Sequence, residues 1–177
     1  VNTTKKPLPQ ILGSAIGIKV MEDIPYVVGL DKWIGRELND ETKSYLKDFG
    51  AATASNGAVG LYHIENLTPE AVELGEKLLQ KDFKEYVIDD AELERVYKTY
   101  PVMWKNPDKK GTYAFIGCPH LSKNQLNEWS DKIINRLREN GKKKVACDTV
   151  ICTAPPILEE FKKTEKYKNL YATGTRV

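Results

Sequence analysis

Short β-prone runs alternate with longer amphipathic stretches along this chain, and that alternation limits its fold more than any other feature of the sequence. Strands separated by helices pair in parallel, because each crossover helix returns the chain to the same edge of the sheet. The predicted strands are Pro25–Leu30, Ala58–Ile64, Glu85–Ile88, Tyr113–Gly117 and Lys144–Ile151, with Thr175-Arg176-Val177 able to begin another. Predicted helices cover Pro9–Met21 and Asp40–Ala54. Others open at Thr68-Pro69-Glu70, at Asp89-Asp90, in the Ser122–Gln125 capping box and at Thr153 with Pro155. The connections are too short and too few for a closed eight-stranded barrel. The expected fold is an α/β, three-layer α/β/α sandwich with a mainly parallel sheet, in a single domain over residues 1–177.

Local signals support these elements. In the first helix Ile11, Leu12, Ala15 and Ile16 form a packing face, and Gly13 and Gly17, one turn apart, let a second backbone approach closely. Pro25 places its strand at a sheet edge, since proline cannot donate to a ladder. Asn56-Gly57 reads as a helix stop. Thr68-Pro69-Glu70 supplies a capping hydroxyl, proline at the first helical position and an acid in the first turn, ahead of Ala71, Leu74, Leu78 and Leu79 at helical spacing. Tyr100–Gly111, with its prolines and lysines, reads as a surface loop.

Composition excludes several function classes. Lys plus Arg number 27 and Asp plus Glu 25, a net +2, so there is no basic excess for nucleic acid or an anionic membrane. No apolar run reaches the ~18–20 residues of a membrane-spanning helix, and no basic-then-apolar stretch reads as a signal peptide, so export is not expected. Cys118, Cys147 and Cys152 cannot all pair, so the expected compartment is a reducing cytoplasm. Gly-x-Gly-x-x-Gly, Gly-Lys-Ser/Thr, Gly-x-Ser-x-Gly and Cys-x-x-Cys are all missing. The start at Val1 and the end at Val177 read as cuts in a longer chain.

In an open parallel sheet, ligands bind beyond the carboxyl ends of the strands. Those ends present His63, then Cys118-Pro119-His120 followed by Ser122, then Cys152 and Thr153. Both histidines and two of the cysteines are thus expected on one rim. Plainer roles stand beside these: a hydrogen-bonded His63 at a loop base, a loop His120, a capping Ser122, a core Cys147. Ser55-Asn56-Gly57 falls at the opposite edge and reads as structural. A thiol before proline at a strand end is a known presentation for iron–sulfur ligation, and alone a weak signal.

Three segments resemble the aconitase X family of iron–sulfur hydro-lyases. Ala52-Thr53-Ala54-Ser55-Asn56-Gly57-Ala58-Val59-Gly60-Leu61-Tyr62-His63-Ile64, continuing to Leu67-Thr68-Pro69-Glu70-Ala71, is similar to a family segment Ala-Ser-Ser/Asn-Gly-Ala-Val-x-Leu-x-His that ends in Thr-Pro-Glu-Ala. Ile116-Gly117-Cys118-Pro119-His120-Leu121-Ser122 is the second, and Gly13, Gly17, Pro25 and Gly29 mark the third. Some relatives carry Asp-Thr-Cys where this chain has Asp148-Thr149-Val150.

The resemblance implies an aconitase-like domain of a longer large subunit that works with other domains and a small swivelling partner. It implies dehydration of a small carboxylate substrate, a hydroxy acid or hydroxy amino acid such as cis-3-hydroxy-L-proline, or of a phosphorylated mevalonate. An iron–sulfur cluster would act as Lewis acid on the leaving hydroxyl, with Cys118 as one ligand, His63 and His120 as catalytic residues, and Ser55, Asn56 and Ser122 at the substrate. The cluster is not expected to assemble on this piece alone. A non-catalytic binding or regulatory α/β domain, and a zinc or thiol hydrolase using Cys118 with a histidine, are the competing readings.

Overall fold

The first helix, α1 (Pro9–Val20), starts where proline sits at its first position and ends where Met21 turns to φ 57°. Leu12, Ala15 and Ile16 are buried on the expected face, with Ile11 at its margin. β1 (Tyr26–Val27) follows, then a short helix, α2 (Asp31–Ile34), that the sequence did not announce. α3 (Asp40–Gly57) is capped by Asn39, whose side chain accepts the Thr42 N–H at 2.9 Å.

α3 does not stop before Asn56-Gly57 as expected. It runs through Gly57, and Ala58 takes the left-handed cap at φ 58°. The reason is packing. A Cβ on Gly57 would lie 1.9 Å from the Gly17 carbonyl oxygen, and one on Gly13 would lie 2.5 Å from that of Phe49. The glycines let α1 and α3 meet backbone to backbone, as Gly13 and Gly17 foretold.

β2 (His63–Ile64) is far shorter than the predicted Ala58–Ile64 and pairs in parallel with β1, Tyr26 opposite His63. α4 (Pro69–Leu74) gives way at Gly75 to a 3-10 turn, Gly75–Leu78, instead of continuing to Leu79. Glu85–Ile88 forms no strand: its backbone pairing is one bond from Asn2, which donates to the Ile88 carbonyl at 2.7 Å, beside one isolated Asn2–Asp89 bridge. α5 (Asp90–Thr99) opens at Asp89, whose carboxylate accepts the Glu92 N–H at 2.8 Å. Leu12, Leu30, Phe49, Ile64 and Val96 are almost wholly buried in the core of this part. Each contributes roughly 1.5–3 kcal/mol by leaving water.

Beyond the exposed loop lies β3 (Tyr113–Leu121), then α6 (Lys123–Glu139) behind the predicted Ser122–Gln125 capping box. β4 (Asp148–Thr153) begins later than expected, which leaves Cys147 outside the strand and half-buried instead of in the core. α7 (Pro155–Phe161) and an unforeseen α8 (Glu165–Ala172) lead to β5 (Thr175–Arg176). Thr153 does not cap α7: its hydroxyl donates to the Leu121 carbonyl at 2.7 Å. Along β4, Thr149, Ile151 and Thr153 are buried in alternation, and Ile151 joins Leu121, Leu126, Phe161 and Leu170 in a second core.

The structure, a computed structural model, describes residues 1–177 and divides into two compact units, Val1–Val102 and Met103–Val177. The fold is α/β and every strand pair is parallel. The strands lie in two sheets, β1-β2 and β3-β4-β5, and not in the one sheet expected. No helix is long and apolar enough to cross a membrane.

Candidate functional site

In the second unit β3 and β4 pair evenly from Tyr113–Asp148 to Ile116–Ile151, then resume at Leu121–Thr153. Gly117, Cys118, Pro119 and His120 therefore stand opposite the single residue Cys152. The strand does not end at Gly117 as predicted; it bulges out of the ladder and rejoins it. Gly117 makes this possible: its φ is 150°, and a Cβ there would fall 2.4 Å from the Cβ of Cys152. At the far side the Thr153–Leu121 bond closes the bulge. Residues outside a ladder are free of its packing, and Cys118 and His120 are both exposed. The peptide bond between Cys118 and Pro119 is cis.

Ser122 follows at once and is occupied by capping. Its hydroxyl accepts the Gln125 N–H at 3.3 Å, and its own N–H donates to Gln125 Oε1 at 3.0 Å. This positions the start of α6 directly behind His120.

The first unit holds the other expected residues. His63 on β2 is 8% exposed, and its N–H donates to the Pro25 carbonyl at 2.9 Å. Its Nδ1 is buried without a hydrogen-bond partner and stands 4.0 Å from Glu70 Oε2. Ser55 and Asn56 are exposed in the last turn of α3. The Asn56 amide donates to the Ala52 carbonyl at 3.0 Å, to Ser14 Oγ at 3.1 Å and to Ser55 Oγ at 3.2 Å. Ser14, itself buried, also bonds Tyr100 through its hydroxyl. His63 and the Cys118-His120 pair thus belong to different sheets and different units, and not to the one sheet expected from sequence.

Two features had no sequence signal for their partners. Glu70 reads in sequence as a first-turn acid and as part of the Thr-Pro-Glu-Ala run, and neither signal points to His63. Asp31, buried on α2, accepts Asn66 Nδ2 at 3.0 Å and Arg36 Nε at 2.9 Å. Burial pushes the Asp31 carboxyl up, but those two hydrogen bonds and the Arg36 charge outweigh it and hold the group below the ordinary carboxylate value. Its partners come from separate loops, which no spacing rule connects.

An iron–sulfur cluster needs several thiolates, or thiolates with imidazoles, around one point. Cys118 is exposed, Cys147 and Cys152 are half-buried, and no three His, Cys, Asp or Glu side chains converge as a metal-ligand set. This chain offers one accessible thiol and does not by itself fit a cluster. The groove near Leu137, Arg138, Lys142, Asn169 and Thr173 contains none of the expected site residues.

The sequence model of the aconitase X second domain matches residues 3–98, more than half of the chain. The chain belongs to the aconitase X family. It is 31% identical over 132 residues to the phosphomevalonate dehydratase large subunit of Thermococcus kodakarensis, covering 75% of this chain and 29% of that protein. It is 34% identical over 113 residues to the cis-3-hydroxy-L-proline dehydratase of Hypocrea jecorina, covering 63% of this chain and 18% of that one. The crystal structure of Thermococcus kodakaraensis aconitase X, holo-form, superposes with a TM-score of 0.68 over 99% of this chain and 41% of that chain, at 20% identity. That superposition shows an aconitase X fold. The chain spans about 29% of the length of the Thermococcus large subunit that it matches.

Proposed function

We propose that this chain is part of the large subunit of an aconitase X dehydratase, a hydro-lyase that removes water from a small hydroxy acid or hydroxy amino acid such as cis-3-hydroxy-L-proline. Family membership and the dehydratase names of its relatives support the reaction class. The observation that carries the reading in the structure is the Gly117–His120 bulge. It holds a thiol and an imidazole out of the ladder, at the strand end where α/β sheets bind ligands.

In this reading Cys118 is one thiolate ligand of an iron–sulfur cluster whose remaining ligands lie outside this chain. His63 and His120 bind the substrate carboxylate or move protons, as imidazole is the side chain whose charge changes nearest neutrality. Asn56 and Ser55 contact substrate from the end of α3, and the Ser14–Tyr100–Asn56 network fixes the Asn56 rotamer. Ser122 does so from its cap position. The rest of the large subunit and a small swivelling partner complete the cleft.

Four of the relatives are phosphomevalonate dehydratase large subunits, which gives that substrate an equal place in the test. The complete protein, assembled with its small partner and loaded with iron, is assayed for dehydration of cis-3-hydroxy-L-proline and of phosphomevalonate. Turnover of one of them is expected, with a fall of ~10²–10⁴-fold in His63→Asn and in His120→Asn. No dehydration of either compound by the intact assembly would contradict the reading and favour a binding domain.

A further inference from the structure

A buried polar nitrogen left without a partner costs free energy, and a fold that keeps one calls for a reason. His63 Nδ1 is such an atom. The backbone around it is tightly held. His63 N–H is bonded to Pro25 on the neighbouring strand side, and the Ile64 carbonyl accepts the N–H groups of both Leu67 and Thr68 at 3.1 Å. The Thr68 hydroxyl turns back instead of capping α4: it accepts the Ile64 N–H at 2.9 Å and donates to the Ile64 carbonyl at 3.3 Å. Pro69 then fixes the first position of α4.

These bonds tie the start of α4 to the residue beside His63, so the backbones carrying His63 and Glu70 are set in place with respect to each other. Glu70 Oε2 stands 4.0 Å from Nδ1, and the Glu70 side chain is more than half exposed, with rotamers to spare. The remaining gap to hydrogen-bond length is about 1 Å.

We propose that Glu70 is a positioning residue that accepts a hydrogen bond from Nδ1–H of His63 and so leaves Nε2 unprotonated as the proton-accepting atom. This deepens the function proposed above and rests on His63 taking the proton-moving role there. The proton on Nδ1 stays on the imidazole throughout. When Nε2 takes the substrate proton, the ring becomes an imidazolium, and the Glu70 carboxylate stabilises its charge; this is the part the carboxylate plays in a Ser-His-Asp triad. The helix start explains an acid at Glu70 through the dipole alone. It does not explain why that acid faces an unpartnered imidazole nitrogen.

The test is ¹⁵N NMR of the complete protein at a pH where His63 is neutral, with the His63 signal identified by its loss in His63→Gln. The wild type is expected to show the Nδ1–H tautomer. Glu70→Ala is expected to shift His63 toward the Nε2–H tautomer and to lower kcat by at least ~10-fold, with KM changed by less than about threefold. Glu70→Gln keeps an acceptor oxygen without the charge, so it is expected to retain the tautomer while losing part of kcat. Alanine is compatible with the first turn of a helix, and Glu70→Gln serves should that variant fail to fold. An Nε2–H tautomer in the wild type, or an unchanged tautomer in Glu70→Ala, overturns the proposal. The tautomer is read without substrate, so it decides the Glu70–His63 pair even if the complete protein dehydrates nothing.

Discussion

Gly57 and Gly60 lie three positions apart and separate two reasons for a glycine. A Cβ at Gly57 would lie 1.9 Å from a backbone oxygen of α1, while one at Gly60 would meet nothing within 4 Å. Gly57→Ala is therefore expected to lower the unfolding free energy by about 1–3 kcal/mol or more, as overpacking does. Gly60→Ala should be neutral or slightly stabilising. Urea midpoints of the two variants check the contrast. Gly13 and Gly17 could be read from their spacing, but Gly57 was misread as a stop. Asn-Gly signals a turn in sequence, and only the partner helix reveals that the missing Cβ is what matters here.

Glu92 gives a residue-level test in acid. The hydrogen bond from Arg95, then that from Tyr86, lowers its pKa to about 2 from 4.5. A carboxyl depressed on folding stabilises the fold above its unfolded pKa, and that contribution is lost as pH falls toward 2. The thermal unfolding midpoint of the wild type should fall between about pH 4.5 and pH 2, with a flatter profile for Glu92→Gln. Equal slopes for the two proteins would contradict the assignment.

At the scale of elements, the capping box follows the bulge directly in sequence. Ser122→Ala removes the acceptor for the Gln125 N–H and should cost roughly 1 kcal/mol in thermal unfolding. The box was legible because its chemistry is local, Ser-x-x-Gln before an apolar run. The bulge was legible only in part. The Ile116–Ser122 motif marked Cys118 and His120, but the return of the strand at Leu121 depends on β4, which no local signal reports. The same holds for β1 and β2, two residues each, whose length is set by their pairing. Thiol reactivity tests the bulge. Cys118 should react with a thiol reagent in the native protein well before the half-buried Cys147 and Cys152, and Cys118→Ser should remove that fast phase. A fast phase that survives the substitution would place the accessible thiol elsewhere. Gly117→Ala, which drives a Cβ into Cys152, should disturb the bulge and slow that phase.

For the whole molecule, the alternation of strands and helices predicted parallel pairing correctly and sheet number wrongly. Periodicity reports which face of an element is buried, not which other elements join it; hence a single rim holding His63, Cys118 and His120 was expected where the structure has two sheets. The separation makes the proposed roles independently testable, since His63 and Glu70 belong to the first unit and Cys118 to the second. Iron content of the complete protein, measured for the wild type and for Cys118→Ser at equal folded fraction, tests most directly whether the bulge delivers a ligand to the reaction centre. Iron bound by the wild type and lost from the variant, together with dehydratase activity, is the expected outcome. Iron retained in full by a folded Cys118→Ser protein would contradict it.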